Sequence, residues 1–142
     1  MLYHEFITVI AEQAGLTFEE SETAACTVMR ALAEVMPSTQ AQAVRGCLPV
    51  ELAQYLERSR PEPDSLLDEH TFVGWLVSDL DTTGRRDKTI GGIDLMAVYG
   101  GEEAWRRCRH VFVALKSCLD ETSSATFVSG LPDWISGRFL EA

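Results

Sequence analysis

A short motif occurs twice in this chain, and its repetition constrains the possible folds more than any other feature of the sequence. Leu48-Pro49 near the middle is matched by Leu131-Pro132 near the end, 83 positions later. The same offset matches three further apolar pairs: Val28 with Val111, Ala31 with Ala114, and Leu32 with Leu115. We therefore predict that the chain is an internal duplication made of two related halves.

The first half has apolar residues every three to four positions, which is typical of amphipathic helices. Gly15 is suited to end the first helix, because glycine readily adopts the left-handed conformation that follows a helix. Thr17 and Glu20 fit a capping box at the start of the second helix, and Pro37 ends that helix because it has no amide to donate. A fourth helix is expected to begin with Pro49 at its first position and to run to about residue 58.

One face of the second helix is expected to be buried. Its apolar stripe comprises Ala25, Val28, Met29, Leu32, Val35 and Met36. The corresponding helix of the second half is expected to bury Cys108, Val111, Phe112, Leu115 and Leu119.

The second half repeats the order of helices but contains an insertion. At its first helix the offset is 66, since Phe72 matches Phe6, so about 17 residues are inserted before the second helix of that half. We predict a first repeat over residues 1–60, a linker over 61–67, and a second repeat over 68–142 with the insertion at about 78–101. The expected fold class is all-α, with two four-helix units packed into one globular bundle.

This arrangement of Phe6 and Phe72, of the long amphipathic helices, and of the two Leu-Pro motifs resembles a bacterial family, the domain of unknown function 2267. The resemblance covers nearly the whole chain except the insertion. It implies an all-α fold and a bacterial cytoplasmic setting, and it brings no catalytic residues with it.

Charge and composition limit the partners. The chain has 12 basic and 22 acidic residues, a formal charge of -10, which repels nucleic acid and anionic membrane surfaces. No apolar run approaches the roughly 20 residues that span a bilayer, so we expect a cytoplasmic protein. Its four cysteines lack Cys-x-x-Cys spacing and lie among apolar residues, so we expect reduced thiols and neither a disulfide nor a zinc site.

The two halves differ at two positions that carry tryptophan. Trp105 matches Glu22 and Trp134 matches Glu51, and both glutamates are expected to face water. The second half is therefore expected to have an apolar surface of its own, covered either by the insertion or by a partner. The interface candidates are Trp105, Trp134, Met96, Tyr99, Arg106 and Arg109.

A basic cluster follows Trp105 in the sequence: Arg106, Arg107, Arg109 and His110. It is suited either to an anionic ligand or acidic partner segment, or to a solvated helix face with local ion pairs that include Glu102, and the second interpretation is favoured. Cys108 lies between these arginines, but it matches Ala25 on the buried stripe, so we expect an unreactive core thiol.

Two features of the insertion suggest function only weakly. Asp79 and Asp81 resemble the start of a calcium-binding loop, but Ile90 stands where the loop needs a bidentate glutamate, so we expect no metal. Two Gly-Gly pairs bracket residues 93–99, which fit either a lid over a pocket or, as we favour, a short helix packed on the second half.

These observations favour a non-enzymatic helical interaction module, an adaptor or homodimer, that binds a protein through its second repeat. The sequence shows no Ser-His-Asp, HExxH or Cys-His pattern, and we expect no cofactor. The alternative is a small-molecule binder or enzyme with a pocket between the repeats, gated by the glycine-rich insertion. A weak calcium-binding loop over residues 79–90 is a further alternative.

Overall fold

A computed structural model describes residues 1–57, 68–80, 89–90, 93–94 and 101–142; of 77–80 and of the two short strands it describes the backbone alone. Apart from one pair of two-residue strands, all regular elements within these ranges are helices, so the fold class is all-α. Its elements are α1 (Tyr3–Ala14), α2 (Phe18–Val35), α3 (Ser38–Arg45), α4 (Val50–Leu56), α5 (Glu69–Leu80), β1 (Thr89–Ile90), β2 (Ile93–Asp94), α6 (Gly101–Cys118), α7 (Glu121–Ser129) and α8 (Asp133–Glu141). No helix in the described part of the chain is long and apolar enough to cross a membrane.

The first two helices begin and end where the sequence predicts. Gly15 ends α1 with φ at 68°, the left-handed conformation that side chains other than glycine rarely adopt. At the start of α2, the Glu20 amide donates to the Thr17 hydroxyl at 3.1 Å and the Thr17 amide donates to the Glu20 carboxylate at 3.0 Å. The predicted capping box is therefore confirmed.

Aspartates or prolines precede α3, α4, α5, α7 and α8. Asp68 accepts a hydrogen bond from the Thr71 amide at 2.9 Å, and Asp120 accepts one from the Ser123 amide at 2.7 Å. Pro49 was expected at the first helical position, but it precedes α4 instead. Its ψ of 139° is extended, and its carbonyl accepts the first hydrogen bonds of the helix, as an N-cap residue does.

The core is formed by residues from one face of each described helix. The predicted stripe of α2 is fully or almost fully buried, and so are the predicted core residues of α6. Because α2 and α6 contact each other and several shorter helices, they form the centre of the bundle.

The helix boundaries of the two halves follow the two sequence offsets. Both α1 and α5 have 12 residues, and both α2 and α6 have 18. The helices α2, α3 and α4 start at residues 18, 38 and 50, and α6, α7 and α8 start 83 positions later in each case. The order of these helices and the spacing of their starts along the sequence are thus the same in both halves.

Contacts between the halves are reciprocal. Helix α1 packs on α6 as α5 packs on α2, while α2 packs on α6 and α3 packs on α7. Within the α3–α7 contact, Gln40 lies against Gly130, and the Cys47 thiol lies 3.4 Å from the Ser123 hydroxyl. The position that matches Gln40 is Ser123, and the position that matches Gly130 is Cys47. The offset of 83 therefore converts the first contact into the second. Such reciprocity is characteristic of an isologous, two-fold interface.

Most of the predicted insertion, residues 81–88, 91–92 and 95–100, lies outside the described residues. Its described parts are the end of α5, the first residue of α6, and an antiparallel pair in which Thr89 is opposite Asp94 and Ile90 is opposite Ile93. Ile93 and Asp94 are therefore extended and are not part of the short helix expected for residues 93–99. Asp81, Met96 and Tyr99 lie outside the described residues, and the side chain of Asp79 does as well.

We predict that Gly130→Ala weakens the packing of α3 on α7. An added Cβ would lie 2.9 Å from the Gln40 Cβ and 2.8 Å from its Cγ, so α3 would have to shift. Urea denaturation is expected to show a loss of about 1–3 kcal/mol in the free energy of unfolding. Gly46→Ala is the matched control, since nothing lies within 4 Å of its added Cβ. Equal losses in both variants would contradict this account.

We predict that the Asp120 cap stabilises the fold only while it is ionised. Hydrogen bonds from the Ser123 amide lower the pKa of Asp120, so its contribution is complete above about pH 4 and is lost as the pH falls through the folded-state pKa. The difference in Tm between the natural protein and Asp120→Ala should therefore shrink below about pH 4. Asp120→Asn keeps an acceptor that does not titrate, and its advantage over Asp120→Ala should be independent of pH. A wild-type advantage that persists unchanged at pH 2 would disprove the assignment.

Candidate functional site

The two tryptophans predicted as interface anchors both contact one buried phenylalanine. The Phe72 ring of α5 stacks on the Trp105 ring of α6 at 5.7 Å between centroids, and the edge of the Trp134 ring meets it at 5.4 Å. Phe72 is fully buried, whereas both tryptophans are partly exposed. Part of the apolar surface is thus covered by α5, an arrangement that neither sequence alternative included.

The Trp105 ring is also covered by a charged side chain from α8. The Arg138 guanidinium carbon lies 3.9 Å from the centre of the Trp105 ring, a close cation–π contact. Its Nη2 donates to the Glu69 Oε1 at 3.2 Å, and the two side chains of this ion pair are each 45% exposed. Trp105 is therefore enclosed between Phe72 and Arg138, beside the carboxylate of Glu69.

A groove of about 1230 Å³ runs along this arrangement, between α5, α6 and α8. It is partly open to solvent. Its charged lining residues are Asp68, Glu69, Glu102, Glu141, Arg106, Arg109 and Arg138, and its other lining residues are His70, Val73, Gly101, Trp105 and Phe112. All of these residues belong to the second half, so we call this cavity the second-half groove.

Two arginines of the basic cluster of α6 pair with one carboxylate. Arg106 and Arg107 lie 3.5 and 3.4 Å from the oxygens of Glu103, so the sequence identified local ion pairs but named Glu102 instead of Glu103. Arg109 has no ion pair among the residues that the structure describes. An exposed pair such as Arg106–Glu103 contributes about 0.2–1 kcal/mol, whereas the Arg107 side chain is mostly buried.

His110 completes the predicted basic cluster. Burial, and then the positive charges of Arg106 and Arg109, lower the pKa of His110 below its ordinary value. The side chain is therefore neutral at neutral pH and adds no positive charge to the helix face.

The first half carries a different set of side chains at the matching positions. There the Tyr3 hydroxyl donates to the Glu22 carboxylate at 2.7 Å, and the Arg30 guanidinium lies 5.8 Å from the centre of the Tyr55 ring. Burial and the bond to Glu22 raise the pKa of Tyr3 above its ordinary value. Glu51 faces water as predicted, but Glu22 is only partly exposed because of its bond to Tyr3.

Cys108 lies on the inner side of α6 and not in the groove. Its side chain is completely buried, and this burial raises the pKa of the thiol well above its ordinary value, although the charge of Arg138 acts weakly in the opposite direction. The prediction of a core thiol is confirmed, and thiolate chemistry at this position is disfavoured.

Other candidates for chemistry are separated from one another. No group of three or more histidine, cysteine, aspartate or glutamate residues is placed to hold a metal within the described ranges. His4 packs against Phe18 with its ring 5.3 Å away, whereas His70 lines the second-half groove, so the two histidines that precede Phe6 and Phe72 have different surroundings.

The structure brings together three of the predicted site residues, Trp105, Arg106 and Arg109, which line the groove. Trp134 supports the site by packing on Phe72. Sequence reasoning missed Arg138 and Glu69. The sequence offsets contain a signal for both. They match Arg138 with Tyr55 and Glu69 with Tyr3, and each of these changes in side chain is as large as the replacement of glutamate by tryptophan.

The fold and the groove together define an all-helical protein with a charged surface groove and a tryptophan at its base. The chain belongs to the family described as "Uncharacterized conserved protein (DUF2267)", whose match covers residues 3–137. The comparison with curated proteins gave no match. The comparison with solved structures gave none either.

We predict that Trp134→Ala destabilises the fold even though the ring is partly exposed. Loss of the ring uncovers Phe72, and the expected decrease in the free energy of unfolding is about 2–3 kcal/mol. Leu140→Ala is the control, because Leu140 lies on the same helix and is 64% exposed. Its expected change is below about 0.5 kcal/mol. Chemical denaturation of both variants measures the difference, and similar values would show that Trp134 does not support Phe72.

Proposed function

We propose that this chain is a non-enzymatic helical protein-interaction module of the bacterial cytoplasm, which acts as an adaptor by binding a protein partner in the second-half groove. The observation that carries the proposal is the groove itself, with a partly exposed tryptophan at its base and arginines along its walls. Tryptophan and arginine are the residues most enriched among the energetic anchors of protein interfaces.

The shape of the groove also supports a protein partner. Sites for small molecules are usually enclosed and mostly apolar, with few polar groups. The second-half groove is partly open, and seven charged side chains line it. An extended polypeptide segment suits these features better than a small molecule does. The alternative, a pocket between the repeats, corresponds to a smaller cavity of about 340 Å³ between α2 and α5, which is lined by Thr27, Arg30, Ala31, Glu34 and Trp75. The second-half groove is larger and all its lining residues come from α5, α6, α8 and the residue before α5.

The duplication is part of this proposal. The equal helix lengths, the constant offsets and the reciprocal contacts between the halves support descent from a unit that once paired with a second copy of itself. In the present chain that pairing is internal, so the surfaces that would join two copies already face each other. This leaves the groove, and not the interface between the halves, as the surface for a separate partner.

Site-specific photo-crosslinking tests the proposal. A benzophenone amino acid at Glu102, on the groove, is expected to crosslink the protein to a partner in the producing bacterium. The same amino acid at Glu12, an exposed position of α1, is the control and is expected to give no such product. Mass spectrometry then identifies the crosslinked peptide. Equal products from both positions, or none from Glu102, would contradict a binding role for the groove.

A further inference from the structure

The Arg138 side chain occupies the groove in the way that a bound arginine would. Its guanidinium lies over the face of Trp105 at 3.9 Å while its Nη2 reaches the Glu69 carboxylate at 3.2 Å. An aromatic face combined with an adjacent carboxylate is a general means of recognising a guanidinium group, because the ring attracts the cation and the carboxylate orients it.

We propose that the second-half groove recognises an arginine-bearing segment of a partner protein, and that Arg138 holds the recognition position until such a segment displaces it. This inference rests on the proposed function and adds to it the chemistry of the partner and a means of regulation. The partner's guanidinium replaces that of Arg138 on Trp105 and beside Glu69.

The charges that line the groove fit a basic occupant. Apart from Arg138, the lining includes two arginines, Arg106 and Arg109, and four carboxylates, Asp68, Glu69, Glu102 and Glu141. The excess is therefore negative. Asp68 is firmly ionised at neutral pH, because hydrogen bonds from the Thr71 amide lower its pKa. The whole chain has a formal charge of -10, which attracts a basic segment and repels an acidic one at long range.

The contacts of Arg138 with Glu69 and Trp105 are weak enough for another guanidinium to replace them. Its ion pair with Glu69 is 45% exposed on both sides, and pairs exposed to this extent contribute little because water screens them. Arg138 lies on α8, the last helix, whose final residues are solvent-exposed or partly exposed. Its side chain can move away from Trp105 while Phe72 keeps its ring contacts with Trp105 and Trp134.

The first half lacks this arrangement at the matching positions. Tyr55 stands in place of Arg138, Glu22 in place of Trp105, and Tyr3 in place of Glu69. The first half thus has neither the aromatic face nor the carboxylate in the positions that recognition requires. We therefore assign recognition of the arginine-bearing segment to the second half alone.

Fluorescence anisotropy with a labelled peptide tests the inference. The probe is a fluorescein-labelled glycine-serine peptide that carries two arginines, and the same peptide with glutamine at both positions is the control. We expect the arginine peptide to bind, with an affinity that falls as salt increases, and the glutamine peptide not to bind. Spermidine is expected to compete only weakly, because it lacks the planar guanidinium that stacks on Trp105.

Substitution of Arg138 tests whether its side chain competes with the arginine peptide for the groove or helps to bind that peptide. Arg138→Gln is expected to tighten binding of the arginine peptide about two- to fivefold, the factor that corresponds to one exposed cation–π contact. In this background, which has no competing guanidinium, Glu69→Gln is expected to weaken binding by a similar factor. The matched controls are Arg45→Gln and Glu57→Gln, which alter another exposed ion pair, 3.4 Å long, outside the groove. Neither control should change the affinity.

Several results would overturn the inference. They are failure of the arginine peptide to bind, equal binding of the glutamine peptide, weaker binding by Arg138→Gln, or equal displacement by spermidine. None of these results alters the crosslinking at Glu102, so the groove would remain a binding surface for a partner of different chemistry. Loss of that crosslinking would instead contradict the proposed function itself.

Discussion

The packing of α2 against α6 is the interaction on which the rest of the structure depends. These two helices are the longest in the described chain, and each has a buried face that supports helices from both halves. Alanines such as Ala24, Ala25 and Ala104 are fully buried and allow neighbouring backbones to approach closely. Because α1 packs on α6 and α5 packs on α2, neither half can bury its apolar surface fully without the other.

This shared core leaves the outer surface of each half free to diverge. A substitution within the interface between halves must fit its neighbours, as the close approach of Gln40 to Gly130 illustrates. On the outer surface, by contrast, the first half has a tyrosine–glutamate bond where the second half has Trp105 beneath Arg138. The candidate site thus lies where the side chains of the two halves differ in chemistry.

Local signals were sufficient to predict most of the helices. The capping box at Thr17 and the left-handed Gly15 depend only on residues close together in sequence, and both are observed. Leu48-Pro49 was placed one residue too far into α4, because proline is compatible with both the first helical position and the preceding cap. The buried faces of α2 and α6 followed from their periodicity, including the core thiol of Cys108.

The sequence by itself determined the helical class, the approximate positions of most helices and the buried faces of α2 and α6, because these depend on spacing and on interactions over a few residues. Only the tertiary structure decided that Arg138 lies over Trp105 and that Glu69 holds it there. Those three residues lie on α8, α6 and α5, and the packing of these helices brings them together. No local pattern encodes such a contact, since its geometry depends on how helices distant in sequence are oriented around a common core.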